Sequence, residues 1–187
     1  MGSSALLVMD VQRDVVAIAD DGSGYLRRLR SAIDGARAAG IPVIYVVMEL
    51  RPGDPEVSPR SRVMANVMQA GLFTQGAPGT EIHHDVAPQQ GDVVVTKRRG
   101  SAFSGSDLDL VLRARDIDSL VLTGIATSAV VLSTLWRAID LDFGLTVLAD
   151  GCLDTDPEVH RMLTEKLFPQ WAEVLAVEDW LQVIAPQ

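Results

Sequence analysis

Short apolar runs separated by helical patterns predict a three-layer α/β domain built on a parallel sheet. Three observations carry that expectation. The runs are apolar throughout instead of alternating, which suits strands buried on both faces. Segments with an i, i+3, i+4 pattern fall between them, as the crossovers of a parallel sheet require. No repeat, linker or low-complexity tract interrupts the 187 residues, so the chain reads as a single domain over 1–187.

The first run is Ala5-Leu6-Leu7-Val8-Met9, ending at Asp10. A helix follows over 24–39, with Leu26, Leu29, Ile33 and Ala36 on one face and Gly40 as its stop. The second run, 41–47, tolerates Pro42 because it lies near the first residue of a strand. Arg51-Pro52-Gly53-Asp54-Pro55 opens a long irregular stretch, in which 58–71 holds a short helix and 72–91 is mostly loop. Met64 and Met68, one turn apart, suit a core edge better than a ligand. The third run is 92–96. The helix over 106–115 takes Ser106 as N-cap and shows Leu108, Val111 and Leu112 to the core. The fourth run, 119–123, leads directly into a helix over 127–140, and the fifth is 145–149. Asp156 then caps a helix over 156–167 with Pro157 in its first position, and 172–177 is the sixth run.

Composition narrows the function class. Hydrophobic residues at 48% with 22% charged describe a globular chain, not a disordered one. Lys+Arg 16 against Asp+Glu 25 leaves a net charge of −9, the opposite of a nucleic-acid footprint. The one cysteine, Cys152, excludes an intramolecular disulfide and a Cys-based zinc site. The segment MGSSALLVMDVQ has no basic n-region, and its apolar run is too short for a signal peptide or a membrane span. The expectation is a cytoplasmic protein with neither nucleic-acid nor membrane partners.

Ligands of such sheets sit outside the carboxyl ends of the strands. Asp10 ends the first strand, Lys97 the third, and Gly124-Ile125-Ala126-Thr127 ends the fourth and opens a helix. A carboxylate, an ammonium and a helix N-terminus would thus meet on one edge. Lys97 would lower the Asp10 pKa while burial raised it, and free N–H groups would receive an anion. Taken singly, each has a plainer reading: a turn aspartate, a solvated lysine. Their convergence is what points to chemistry.

The residues at these ends resemble the isochorismatase-like (cysteine) hydrolase superfamily. The matching stretches are Ala5-Leu-Leu-Val-Met-Asp10-Val-Gln12, Asp92-Val-Val-Val-Thr-Lys97-Arg-Arg-Gly-Ser101-Ala-Phe103 and Leu120-Val-Leu-Thr-Gly124-Ile-Ala-Thr127-Ser-Ala-Val130-Val131. Leu148-Ala-Asp150-Gly-Cys152 through His160 resembles the family's C-terminal part. The resemblance implies a Rossmann-like sheet of order 3-2-1-4-5-6, homodimers or larger homo-oligomers, and an Asp–Lys–Cys triad. Asp10 and Lys97 match the first two members. The family cysteine falls six residues after the glycine, which here is Val130. The resemblance also implies a non-proline cis peptide at Ile125–Ala126, an oxyanion hole from the Ala126 and Val130 N–H groups, and a pocket shaped by Gln12 and Phe103. A core role for Phe103 competes with that last assignment.

Valine offers no nucleophile, so amide hydrolysis through a thioester at 130 is excluded on this alignment. The Asp-x-His metal motif is also missing after the second strand, where Met48-Glu49-Leu50-Arg51 stands. His83-His84 reads as a solvated loop pair, and no metal or cofactor is expected. Three readings remain. One is a non-covalent hydrolase like the isochorismatases, with Asp10 as the general acid toward a vinyl ether and Lys97 as its charge partner. A second is a binding protein without chemistry. A third uses another nucleophile, Cys152 foremost, although Asp150 beside it would raise the thiol pKa. Arg51, Arg60, Arg62, Arg98 and Arg99 would favour an anionic substrate if they reached the site, and solvated loops would hold them otherwise. Trp136 suits packing or a subunit contact, and His160 the surface or an interface.

Overall fold

The computed structural model describes residues 3–19 and 22–185. Six strands form one sheet: β1 (Ser3–Met9), β2 (Val43–Met48), β3 (Val93–Lys97), β4 (Ile117–Ile125), β5 (Gly144–Leu153) and β6 (Glu173–Leu175). Their order is β3-β2-β1-β4-β5-β6, and every pairing is parallel. The chain runs outward from β1 in one direction, then returns to β4 and continues in the other. The switch point therefore lies between β1 and β4, whose ends carry Asp10 and the 124–127 turn.

The continuous apolar runs have a direct cause in the packing. Ala5, Leu7 and Met9 of β1 face one layer, with Ile44 and Val46 of β2. Leu6 and Val8 face the opposite layer, with Val43 and Tyr45. Both faces are covered, so neither set can be polar. The first layer is closed by α4 (Leu108–Ala114) and α5 (Leu132–Ile139) through Leu108, Leu112 and Leu135. The second is closed by α2 (Tyr25–Ala38) and α7 (Val177–Ile184) through Tyr25, Leu29, Ile33 and Trp180. Leu7 and Leu29 are fully buried, and truncating either to alanine would cost about 2–5 kcal/mol.

Several boundaries differ from the sequence expectation for physical reasons. The helix expected over 127–140 begins with a wider, π-helical turn at Thr127–Val131 before α5 proper. The helix expected over 156–167 is α6 (Pro157–Met162) followed by a second such turn at Leu163–Leu167. Asp156 does cap it, accepting from the N–H groups of Glu158 and Val159. Ser106 lies one residue before the N-cap position, Asp107, and accepts the Leu108 N–H at 3.4 Å. Two helices were not anticipated. One is α1 (Arg13–Ala19), only 7 residues long. The other is α7, whose apolar residues continue directly from the sixth run. The short helix of the irregular stretch is α3 (Arg62–Gln69), and 72–91 is loop with two 3₁₀ turns and single bridge residues at Thr74 and Ile82. Met64 is buried against Met48 and Leu50, while Met68 is exposed. Trp136 packs edge-on against Trp171 at 5.3 Å between ring centroids, both partly exposed.

Gly124 is the position where a side chain cannot fit. Its φ is +143°, and a Cβ there would stand 2.3 Å from the Met9 carbonyl oxygen. The close approach of β4 to the end of β1 depends on it. Among the described residues no helix is long and apolar enough to cross a membrane.

Candidate active site

Asp10 is the first residue past β1, and its φ of +54° lies in the left-handed region. Aspartate is among the few non-glycine residues found there, and such a conformation persists only where the surroundings hold it. Its N–H donates to the Val46 carbonyl at 2.8 Å, which fixes the residue against β2. The side chain is buried.

Lys97 ends β3, two strands away from β1. Its register partner on β2 is Met48. Two strand spacings amount to roughly 9–10 Å, a gap that a long side chain can bridge and a short one cannot. Lys97 bridges it: Nζ lies 2.9 Å from Asp10 Oδ2, with side chains 1% and 7% exposed. The ammonium also donates to the Arg99 carbonyl at 2.8 Å. Asp10 Oδ1, in contrast, is buried and has no hydrogen-bond partner among the described residues. Burial pushes the Asp10 carboxyl above its ordinary value, although the Lys97 charge and hydrogen bond pull the other way.

A cavity of about 210 Å³ opens beside this pair. Asp10, Lys97, Ala126 and Val130 all line it. The peptide between Ile125 and Ala126 is cis, as the resemblance implies. The strand ends therefore do bring the carboxylate, the ammonium and the start of the 127–131 turn to one place.

Other expected site residues are held elsewhere. Gln12 is fully buried, and its amide is spent on backbone: Nε2 donates to the Met48 and Thr80 carbonyls at 2.9 and 2.8 Å, and Oε1 accepts the Met48 N–H at 3.0 Å. It clamps the end of β2 and does not line the cavity. Phe103 packs against Phe143, ring centroids 5.9 Å apart, on the core side of the sheet, so the plainer aromatic reading holds. Arg51 pairs with Glu56 at 3.6 Å. Arg98 donates to the Glu49 carbonyl and Arg99 to that of Glu56. None of Arg51, Arg60, Arg62, Arg98 or Arg99 reaches the cavity wall. The expected cationic pocket is thereby corrected: several of these arginines pin the loop around Glu56 instead.

Cys152 also lies outside the cavity. It sits beside Gly124 in the β4–β5 register, 3% exposed, with Sγ 3.8 Å from the Leu122 carbonyl. Burial pushes its thiol up to about 12, so it carries almost no thiolate near neutrality. His83, His84 and Asp85 have ligand atoms within 4.8 Å of one another, the one such group among the described residues, and none lines the cavity. The His83 and His84 rings stack at 4.4 Å, and His83 Nδ1 accepts the Asp85 N–H at 3.3 Å.

Sequence reasoning missed most of the cavity wall. Val15 and Ile18 come from α1, Val63, Met64 and Val67 from α3, and Leu72 and Phe73 from the segment after it. The spacing of Val15 and Ile18, and of Val63 and Val67, is helical, but one turn in each case is too short a signal to mark a cavity wall. It also missed how the 127–131 turn is held. Asp154 accepts the Ser128 N–H at 2.7 Å, and His160 Nδ1 lies 2.8 Å from Thr127 Oγ1. His160, expected at the surface or an interface, is half-buried. Burial lowers its pKa, with Asp154 and Glu165 opposing. An adjoining cavity of about 350 Å³ is lined by His160 and shares Ile18, Ala19 and Thr155 with the first.

Comparison with known proteins agrees with the strand order. An isochorismatase domain model matches residues 4–179. The uncharacterized isochorismatase family protein YwoC of Bacillus subtilis (strain 168) is 30% identical over 181 residues, spanning 97% of this chain and 94% of its own. The ureidoacrylate amidohydrolase RutB of Pseudomonas syringae pv. syringae (strain B728a) is 31% identical over 211 residues, spanning 99% and 85%. An isochorismatase family protein from Burkholderia thailandensis has a solved structure similar to this one, with a TM-score of 0.84 at 26% identity over 97% of this chain and 95% of that one. With the match running from β1 to α7, the chain belongs to the isochorismatase family of hydrolases.

Proposed function

We propose that this protein hydrolyses a small molecule without a covalent intermediate, using Asp10 as the acid and base and Lys97 as its charge partner. The single observation that carries the reading is Asp10 Oδ1: buried, unpartnered among the described residues, and at the wall of a cavity. Val130 stands at the position we assign to the family's cysteine, so a thioester route has no nucleophile. Vinyl-ether hydrolysis fits this set. Asp10 gives its proton to the terminal alkene carbon, leaving an oxocarbenium ion. Water adds to that ion and returns a proton to Asp10. The resulting hemiketal collapses to a carbonyl compound and an alcohol. Lys97 limits the charge change at Asp10 as the proton leaves. The Ala126 and Val130 N–H groups, at the cavity wall, would take the negative charge that develops on the leaving alcohol oxygen as the hemiketal collapses. Burial holds the Asp10 pKa above the usual range, which a general acid needs.

A panel of vinyl ethers, amides and esters tests this. Vinyl-ether turnover that disappears in Asp10→Ala, and that falls as pH rises past the Asp10 pKa, is the expected result. Turnover unchanged in Asp10→Ala sinks the assignment. Ligand binding with no hydrolysis across the panel would favour a non-catalytic binding protein on the same fold.

A further inference from the structure

We infer that the cavity beside Asp10 selects an uncharged ligand: an apolar body of about one ring or a short chain, bearing a single oxygen or nitrogen function at one end. This rests on the hydrolytic site proposed above and adds its substrate class.

Three independent features point there. The first is the wall. Apart from Asp10, Lys97 and Thr155, its side chains are apolar, with Val15, Val63, Val67, Leu72 and Phe73 forming much of the surface. A charged group taken from water into such a wall loses its hydration and needs paired donors in return. No arginine supplies them, and the one lysine already faces a carboxylate at 2.9 Å and a carbonyl at 2.8 Å, which leaves only the uncharged backbone N–H groups of Ala126 and Val130.

The second is the polar end. Asp10 Oδ1 is the buried polar atom left without a partner at the cavity. It can meet one hydrogen-bonding function of a ligand: carrying the proton of the proposed acid, Asp10 donates to an uncharged acceptor such as a carbonyl oxygen. The volume of about 210 Å³ is below the ~300 Å³ where drug-sized pockets begin, so the apolar body seated beside Asp10 is small.

The third is the entrance. Ile18 and Val63 line the cavity yet are 61% and 71% exposed, so the cavity meets solvent past apolar side chains. The surrounding molecule carries a net charge of −9, which opposes the approach of anions.

Acetophenone and benzoate make the test, being isosteric, differing in charge and not hydrolysable. Calorimetry on the full chain near neutral pH should give acetophenone a Kd roughly tenfold below that of benzoate. Val63→Arg, an exposed position where a cation costs little stability, should shrink or reverse that ratio by strengthening benzoate. Benzoate binding as tightly as acetophenone in the native chain overturns the proposal. So does failure of both to bind at roughly 10 mM. Neither probe reacts, so loss of the catalytic role of Asp10, read from turnover in Asp10→Ala, would leave this selectivity standing and is a separate failure.

Discussion

Lys97 Nζ lies 2.9 Å from Asp10 Oδ2 although β2 separates their two strands. The pair is almost fully dehydrated, and the contact with Lys97 opposes part of the upward push that burial gives the Asp10 carboxyl. Removing one alone should therefore cost more than removing both. Lys97→Met strands a buried carboxyl, and a loss of about 3–5 kcal/mol in urea denaturation is expected. The double variant Asp10→Asn with Lys97→Met should recover most of it. A double variant as unstable as the sum of its singles would show the two groups to be uncoupled.

The thiol chemistry of this chain should be recoverable at one position and inert at another. Cys152 should resist iodoacetamide in the native protein near neutrality and react on unfolding, because burial pushes its thiol up to about 12. Val130→Cys places a thiol on the cavity wall near Asp10 and Lys97, where alkylation of the folded protein should be readily detected by mass. Rapid native labelling of Cys152, or an inert thiol at 130, contradicts this assignment of the two sites.

Acid sensitivity should trace in part to His160. Its folded pKa is lowered from 6.5 by burial, so below that value the unfolded chain binds the proton and the folded chain resists it. The stability this group contributes is present above about 6.5 and is lost as pH falls through that range toward the lowered value. The decline of Tm on mild acidification should be shallower in His160→Gln. A parallel decline in both proteins would remove His160 from the account.

Gln12 should behave as a structural clamp. Gln12→Met deletes three hydrogen bonds and leaves the Met48 N–H and the Met48 and Thr80 carbonyls without this partner. A loss of about 2–4 kcal/mol in chemical denaturation is expected. A change under about 0.5 kcal/mol, the size of an ordinary surface substitution, would contradict the clamp.

The sheet was legible in the sequence because a strand covered on both faces has to be apolar along its whole length. Asp10, Lys97 and the 124–127 turn were legible because a parallel sheet puts its ligands at strand ends. The cavity wall was not. Val15, Ile18, Val63 and Phe73 come from a 7-residue helix, an 8-residue helix and a loop, and short elements carry too few turns for periodicity to mark them. Gln12, Phe103 and Arg51 were placed in the pocket by resemblance or by charge. In each case a nearer partner exists: the end of β2, Phe143, and Glu56. Sequence spacing cannot see such competition between partners.

Among the described residues β3 is held by one neighbour only, since β2 flanks it and no strand lies beyond. The lysine that completes the site is thus mounted on a margin of the sheet, while the aspartate sits at its centre. An opening that freed β3 would strip Asp10 of its cation and leave β1, β4 and β5 still paired. Competence for chemistry would then be the more fragile property of this molecule, lost at the rim while the remaining core stays folded.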